Sequence, residues 1–101
     1  MTLTEYAEVI GRNIEIRYIP RIHSELQYAN IGLGINRFVT DFENAEIGED
    51  GILRGAFGTG VTPEQSMADY ARQISGKRLI FNAYDDKRRV EALVPALKEG
   101  I

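Results

Sequence analysis

The stretch from 58 to 83 constrains the fold of this chain more than any other, because a turn, a fully signalled helix and a strand follow one another in it. Thr62 presents a hydroxyl to the orphan amides of a helix start, Pro63 stands where a missing N–H costs nothing, and Gln65 completes a T-x-x-Q capping box. Met67, Tyr70, Ala71 and Ile74 recur at i, i+3, i+4 and i+7, which draws one apolar stripe along a helix over 62–75, and Gly76 supplies a left-handed stop. Leu79, Ile80 and Phe81 follow as a strand. The stripe is expected to pack on a sheet face bearing Phe57, Leu79 and Phe81.

The remaining elements are read the same way. Thr2 and Glu5 form a T-x-x-E capping box, Leu3, Tyr6, Ala7 and Ile10 keep helical spacing, and Gly11 closes a short first helix. Over 13–19 the period changes to two, with Ile14, Ile16 and Tyr18 on one face and Glu15 and Arg17 on the other, before Pro20 stops the strand. Over 37–47, Phe38, Thr40 and Phe42 share a face while Ala45 and Ile47 fall on the opposite parity, so a bulge at Glu43 or Asn44 is needed to bring both sets to the core. Asp50-Gly51 signals a hairpin turn into a partner strand over 52–57. A second hairpin joins 77–84 to 88–94 through Asp85-Asp86-Lys87, Pro95 ends the sheet, and 96–101 is expected to be a frayed tail. Together these elements predict a single α+β domain over the 101 residues: an antiparallel or mixed sheet of about five strands, with the 62–75 helix and the short N-terminal helix packed on one face.

One segment does not fit an ordinary connection. Residues 20–36 exceed the usual loop length of about 4–6 residues, and Ile22, Leu26, Tyr28, Ile31, Leu33 and Ile35 make them unlike a solvated linker. Either the segment folds over the open face or adds an edge strand, or it is an arm that buries its apolar residues against a partner. On the second reading Leu26, Tyr28, Ile31 and Leu33 form the partner-facing surface or a homodimer contact.

Composition limits the chemistry. The apolar fraction of 44% and charged fraction of 27% suit a soluble globular protein, and neither an apolar run of bilayer length nor a signal segment is visible. Without cysteine there is neither disulfide nor thiolate chemistry, which is compatible with a reducing cytoplasm. The one histidine, His23, stands beside Ser24, and neighbours in sequence rarely aim at each other productively, so a small enzyme built on His23 ranks last among the readings. Asp85-Asp86 and Glu49-Asp50-Gly51 lack the spacing of a calcium loop and read as turns, so neither a metal nor a cofactor is expected. Gly58-Thr59-Gly60 precedes a helix but lacks the rest of a phosphate loop, and its glycines are read as turn geometry. The net charge of −3 disfavours strong nonspecific nucleic-acid binding, although Arg17, Arg37, Lys87, Arg88 and Arg89 can contact phosphates if they converge on one face.

From Phe38 to Ala83, an aromatic-rich strand, a polar turn, a second strand ending at Gly58, the run GVTPEQSMADYARQISG and a closing strand resemble the core of HicB-like antitoxin domains. Gly60, Thr62, Glu64, Gln65 and Met67 match in part that family's G-x-T-x-E-E-A helix start, with the small residue of the helix face displaced to Ala68. The run ISGKRLIFNAY with its charged hairpin is similar to the carboxy-terminal half of small proteins encoded by phages and prophages. The resemblance covers 37–94 and implies a compact α+β domain that binds protein, or associates with nucleic acid, without catalysis. A non-enzymatic phage or prophage accessory protein follows, working in the host cytoplasm on a macromolecular partner such as a defence or toxin component, or on another copy of itself. Nucleic-acid binding is the alternative, and no membrane is involved.

Overall fold

A computed structural model describes residues 1–19 and 36–98, so His23 and the proposed contact residues Leu26, Tyr28, Ile31 and Leu33 lie outside the described residues. The fold is α+β, as the sequence predicts, but among the described residues the strands number seven instead of about five and form two antiparallel sheets instead of one. Helix α1 (Leu3–Ile10) is followed by β1 (Ile14–Tyr18), β2 (Phe38–Phe42), β3 (Ala45–Glu49), β4 (Ile52–Gly55) and β5 (Gly58–Gly60). Helix α2 (Pro63–Ile74), β6 (Arg78–Phe81) and β7 (Val90–Leu93) complete it. The first sheet has the order β1-β2-β5 and the second β4-β3-β6-β7.

The second sheet arises from the parity switch seen in the sequence. β2–β3 and β4–β5 are the two arms of one long hairpin, turned at Asp50 and Gly51, whose φ angles of 50° and 77° are those of the tight turn that matches strand twist. Between the pairs Thr40↔Gly58 and Glu46↔Gly55 one arm carries residues 41–45 and the other only 56–57. Three surplus residues exceed an ordinary bulge, so both arms break and their halves enter different sheets. The break lies at Glu43-Asn44, where the sequence places it, and Ile47 is buried while Ala45 packs against the core.

The two helices among the described residues start as their caps require. Thr2 Oγ1 accepts from the Glu5 amide and Glu5 Oε1 from the Thr2 amide, while Gly11, at φ 69°, ends α1. At α2, Thr62 Oγ1 accepts from the Gln65 amide at 3.1 Å, but Gln65 Oε1 reaches back one residue further, to the Val61 amide at 3.0 Å. Tyr70, Ala71 and Ile74 are buried, Met67 packs against the core, and Ser66 joins the inward face. Leu79 and Phe81 receive the helix as expected; Phe57 does not, because it stands in the 56–57 break and is 36% exposed.

Phe42 is the centre of the core. Its ring meets Tyr6 of α1, Tyr70 of α2 and Phe81 of β6 edge to face, with centroids 6.3, 5.9 and 5.7 Å away, so one side chain of the first sheet holds both helices and the second sheet. The carboxy-terminal part is docked, not frayed, as far as it is described. Val94 is buried, the Leu97 amide donates to Ser75 Oγ at 3.0 Å, and the Lys98 amide donates to the Met1 carbonyl at 3.0 Å. The second hairpin also differs from expectation: β6 ends at Phe81 and β7 begins at Val90, leaving a folded connection over 82–89.

Candidate functional site: a polar groove at the strand break

The hairpin break and the β6–β7 connection meet at one end of the second sheet. Asn44 and Asn82 are both left-handed, at φ 56° and 54°, and the Asn82 amide donates to the Asn44 carbonyl at 2.9 Å. Asparagine tolerates this region better than most residues, and such conformations often mark sites where backbone must bend away from its ladder. Here both chains turn outward and leave a shallow solvent-open groove of about 550 Å³ lined by Arg12, Glu43, Asn44, Asn82 and Arg88. Adjoining depressions extend it to Asn13 on one side and to Tyr84 and Asp85 on the other.

Each cationic side chain is placed by local structure. Arg12 follows the left-handed end of α1, its amide donates to the Ala7 carbonyl, and its guanidinium carbon lies 4.7 Å from the centre of the buried Phe81 ring. That stacking holds the planar group against the second sheet while leaving its edge for hydrogen bonds. Arg88 is held by a connection wound around Asp85, whose carbonyl accepts from the amides of Arg88 and Arg89 and whose side chain accepts from the Lys87 amide. Asn82 Nδ2 donates to the Arg88 carbonyl at 3.3 Å. Neither Arg12 nor Arg88 forms an ion pair among the described residues. Tyr84, 86% exposed, stands at the groove margin.

The five basic residues singled out in the sequence do not all gather here. Arg88 lines the groove, Lys87 and Arg89 are its neighbours in sequence but not among the lining residues, and Arg89 is engaged with the Ala83 carbonyl and Glu91. Arg17 lies on the outer face of the first sheet against Asp41, 2.9 Å away. Arg37 precedes β2 whereas Asn44 follows it, so at about 3.4 Å per residue the length of a strand separates Arg37 from the groove. Arg12, Asn44 and Asn82 escaped sequence reasoning as site residues; the one available signal was the parity break at Asn44.

The chemistry of other polar groups is structural. Thr40 and Ser66 are fully buried, their hydroxyls 2.6 Å apart, and Ser66 donates onward to the Pro63 carbonyl at 2.7 Å, which leaves Thr40 as donor to Ser66. The Phe42 amide, which has run past the end of β5, donates to Tyr70 Oη at 3.3 Å. Burial pushes the Tyr70 phenol up to about 12 and raises that of Tyr6. Burial also lifts the Asp41 carboxyl above its usual range, outweighing Arg17, whereas hydrogen bonds from Thr2 and from Lys77 lower Glu5 and Glu49. Among the described residues, three or more metal-ligating side chains nowhere converge, and no helix is long and apolar enough to cross a membrane. Compared with protein-family models, curated proteins and solved structures, the chain matches none.

Proposed function

We propose that the chain is a non-catalytic binding module whose groove at Asn44 and Asn82 receives an acidic segment of a protein partner. The observation that carries this reading is the pair of guanidinium groups, Arg12 and Arg88, lining one polar groove without a carboxylate partner among the described residues. Planar guanidinium matches a carboxylate with two parallel hydrogen bonds, and the side chains of Asn44 and Asn13 add amide donors and acceptors suited to peptide backbone. Glu43 in the groove and the net charge of −3 oppose a long polyanion, which favours a peptide over nucleic acid. An antitoxin-like role, in which the partner is a toxin component, is the form of this reading that the HicB-like resemblance suggests.

Titration of the 15N-labelled protein with a glutamate-rich peptide tests it. Amide shifts are expected at Asn13, Asn44, Asn82 and Arg88, and Arg12→Ala or Arg88→Ala should each weaken binding about tenfold or more, the loss of one guanidinium–carboxylate contact. Unperturbed groove amides would remove the proposal, and a single-stranded oligonucleotide that shifts them while the peptide does not would replace it with the nucleic-acid reading.

A further inference from the structure

We infer that the free edge of β1 pairs with β1 of a second copy of this chain, antiparallel about a two-fold axis through Ile16, joining two three-stranded sheets into one of six strands. The strand is exposed along nearly its whole length, with Ile16 at 42% and Tyr18 at 60%, and among the described residues no strand pairs with its outer side. An exposed edge with apolar side chains is a template for strand addition. The edge of β5 differs: the Thr59 amide donates to Asp69 Oδ2 and the Phe57 carbonyl accepts from Gln73 Nε2, so α2 consumes its free groups.

Backbone parity decides which residues of β1 offer hydrogen bonds. The Ile19 amide donates to the Arg37 carbonyl of the β2 side, and the Phe42 amide, opposite Ile14, turns away from β1 to Tyr70. In an antiparallel ladder these groups alternate, so Glu15 and Arg17 face β2 with their backbone, and Ile14, Ile16 and Tyr18 offer theirs outward. A second copy can therefore pair only even residues with even residues.

Charge then selects among the allowed registers. Placing Ile14 opposite Ile16 sets Glu15 against Glu15, and placing Ile16 opposite Tyr18 sets Arg17 against Arg17. Placing Ile16 opposite Ile16 pairs Ile14 with Tyr18 and sets each Glu15 against the Arg17 of the other copy, in the close non-hydrogen-bonded position where side chains interact most. Glu15 has no ion pair of its own among the described residues, and Arg17 is satisfied only by Asp41. The other exposed edges lack this property, because β4 carries only Arg54 and β7 only Glu91 as charged residues. The register is isologous, as a two-fold dimer demands, and it brings Ile16 and Tyr18 of the two copies onto one continuous face.

Sedimentation across a concentration series, with charge variants mixed in trans, tests the inference. The wild-type chain should dimerise, and Glu15→Arg or Arg17→Glu alone should raise the dissociation constant about tenfold or more by setting like charges opposite each other. Mixing the two variants should restore a dimer, since each then meets its complement. Because the chain has no cysteine, Ile16→Cys should also oxidise to a covalent dimer, the opposed Cα atoms lying about 5.5 Å apart, within disulfide range. A wild-type monomer throughout the series, a dimer indifferent to both charge variants, or a mixture no tighter than either variant alone would overturn it; unchanged circular dichroism of each variant separates these outcomes from misfolding.

Discussion

Gly58 and Gly60 leave no room for a side chain. A Cβ at Gly58 would stand 2.2 Å from the Ser66 carbonyl oxygen and 2.4 Å from the Tyr70 amide, and one at Gly60 would stand 2.5 Å from the Ser66 amide, so α2 lies with its backbone directly on β5. The sequence reading of these glycines as turn geometry is corrected: neither has a positive φ, and close approach is what they allow. Because the obstacle is backbone and cannot swing aside, Gly58→Ala should cost about 3 kcal/mol or more, read by urea unfolding. A loss within about 0.5 kcal/mol, typical of an open surface position, would show that helix and strand do not touch there. Tyr70 gives a second test. Its phenol holds its proton more tightly folded than unfolded, about 12 against an ordinary value of about 10, so the stability it contributes is complete below pH 10 and is lost as pH rises toward 12. Tyr70→Phe should flatten that alkaline loss, and at neutral pH it should cost about 1–3 kcal/mol because the buried Phe42 amide loses its acceptor. Unfolding curves from pH 8 to 12 decide both points, and an unchanged alkaline slope would reject the assignment.

At the level of elements, β6 shows why burial does not follow from period alone. Leu79, Ile80 and Phe81 are all buried: Leu79 and Phe81 belong to the main core, while Ile80 packs over Gly48 of the neighbouring strand on the other face. Phe81 takes part in both the core and the groove, since its ring meets Phe42 and carries the Arg12 guanidinium. Phe81→Ala is expected to cost about 3–5 kcal/mol through lost transfer energy and a residual cavity, measured by denaturant unfolding. A loss below about 1 kcal/mol would place the ring outside the core. Thr62→Ala should cost only about 1 kcal/mol, because it removes one acceptor at the start of α2 and creates no cavity.

In the whole molecule the two sheets are not separate units. Phe42 of the first and Phe81 of the second share one aromatic cluster with Tyr6 and Tyr70, and the hairpin arms run through both sheets, so neither can lose its structure without exposing the core of the other. Urea unfolding should accordingly be one transition, coincident by circular dichroism and tyrosine fluorescence. Met1 and the described residues up to Lys98 are tied into the same unit, through the Leu97 amide on Ser75 and the Lys98 amide on the Met1 carbonyl. Truncation after Pro95 should remove about 1–2 kcal/mol of burial and hydrogen bonding and lower the melting temperature by roughly 5–10 °C. An unchanged melting temperature would return the tail to the frayed state that its sequence suggested.

What the sequence determined by itself was local. The capping box at Thr2, the N-cap at Thr62, the Asp50-Gly51 turn and the stripe of α2 are legible because each depends on residues within one turn of each other, whose hydroxyls, ring constraints and spacing act before any tertiary contact exists. Even the break at Glu43-Asn44 was visible as a change of parity. Only the tertiary structure decided that this break divides the strands between two sheets, since the matching break at 56–57 and the register between the arms are long-range pairings that no local pattern encodes. The groove followed for the same reason. Arg12, Asn44 and the pair Asn82 and Arg88 come from three separate places in the chain, and what brings them together is the packing of α1, the strand break and the 82–89 connection around Phe81.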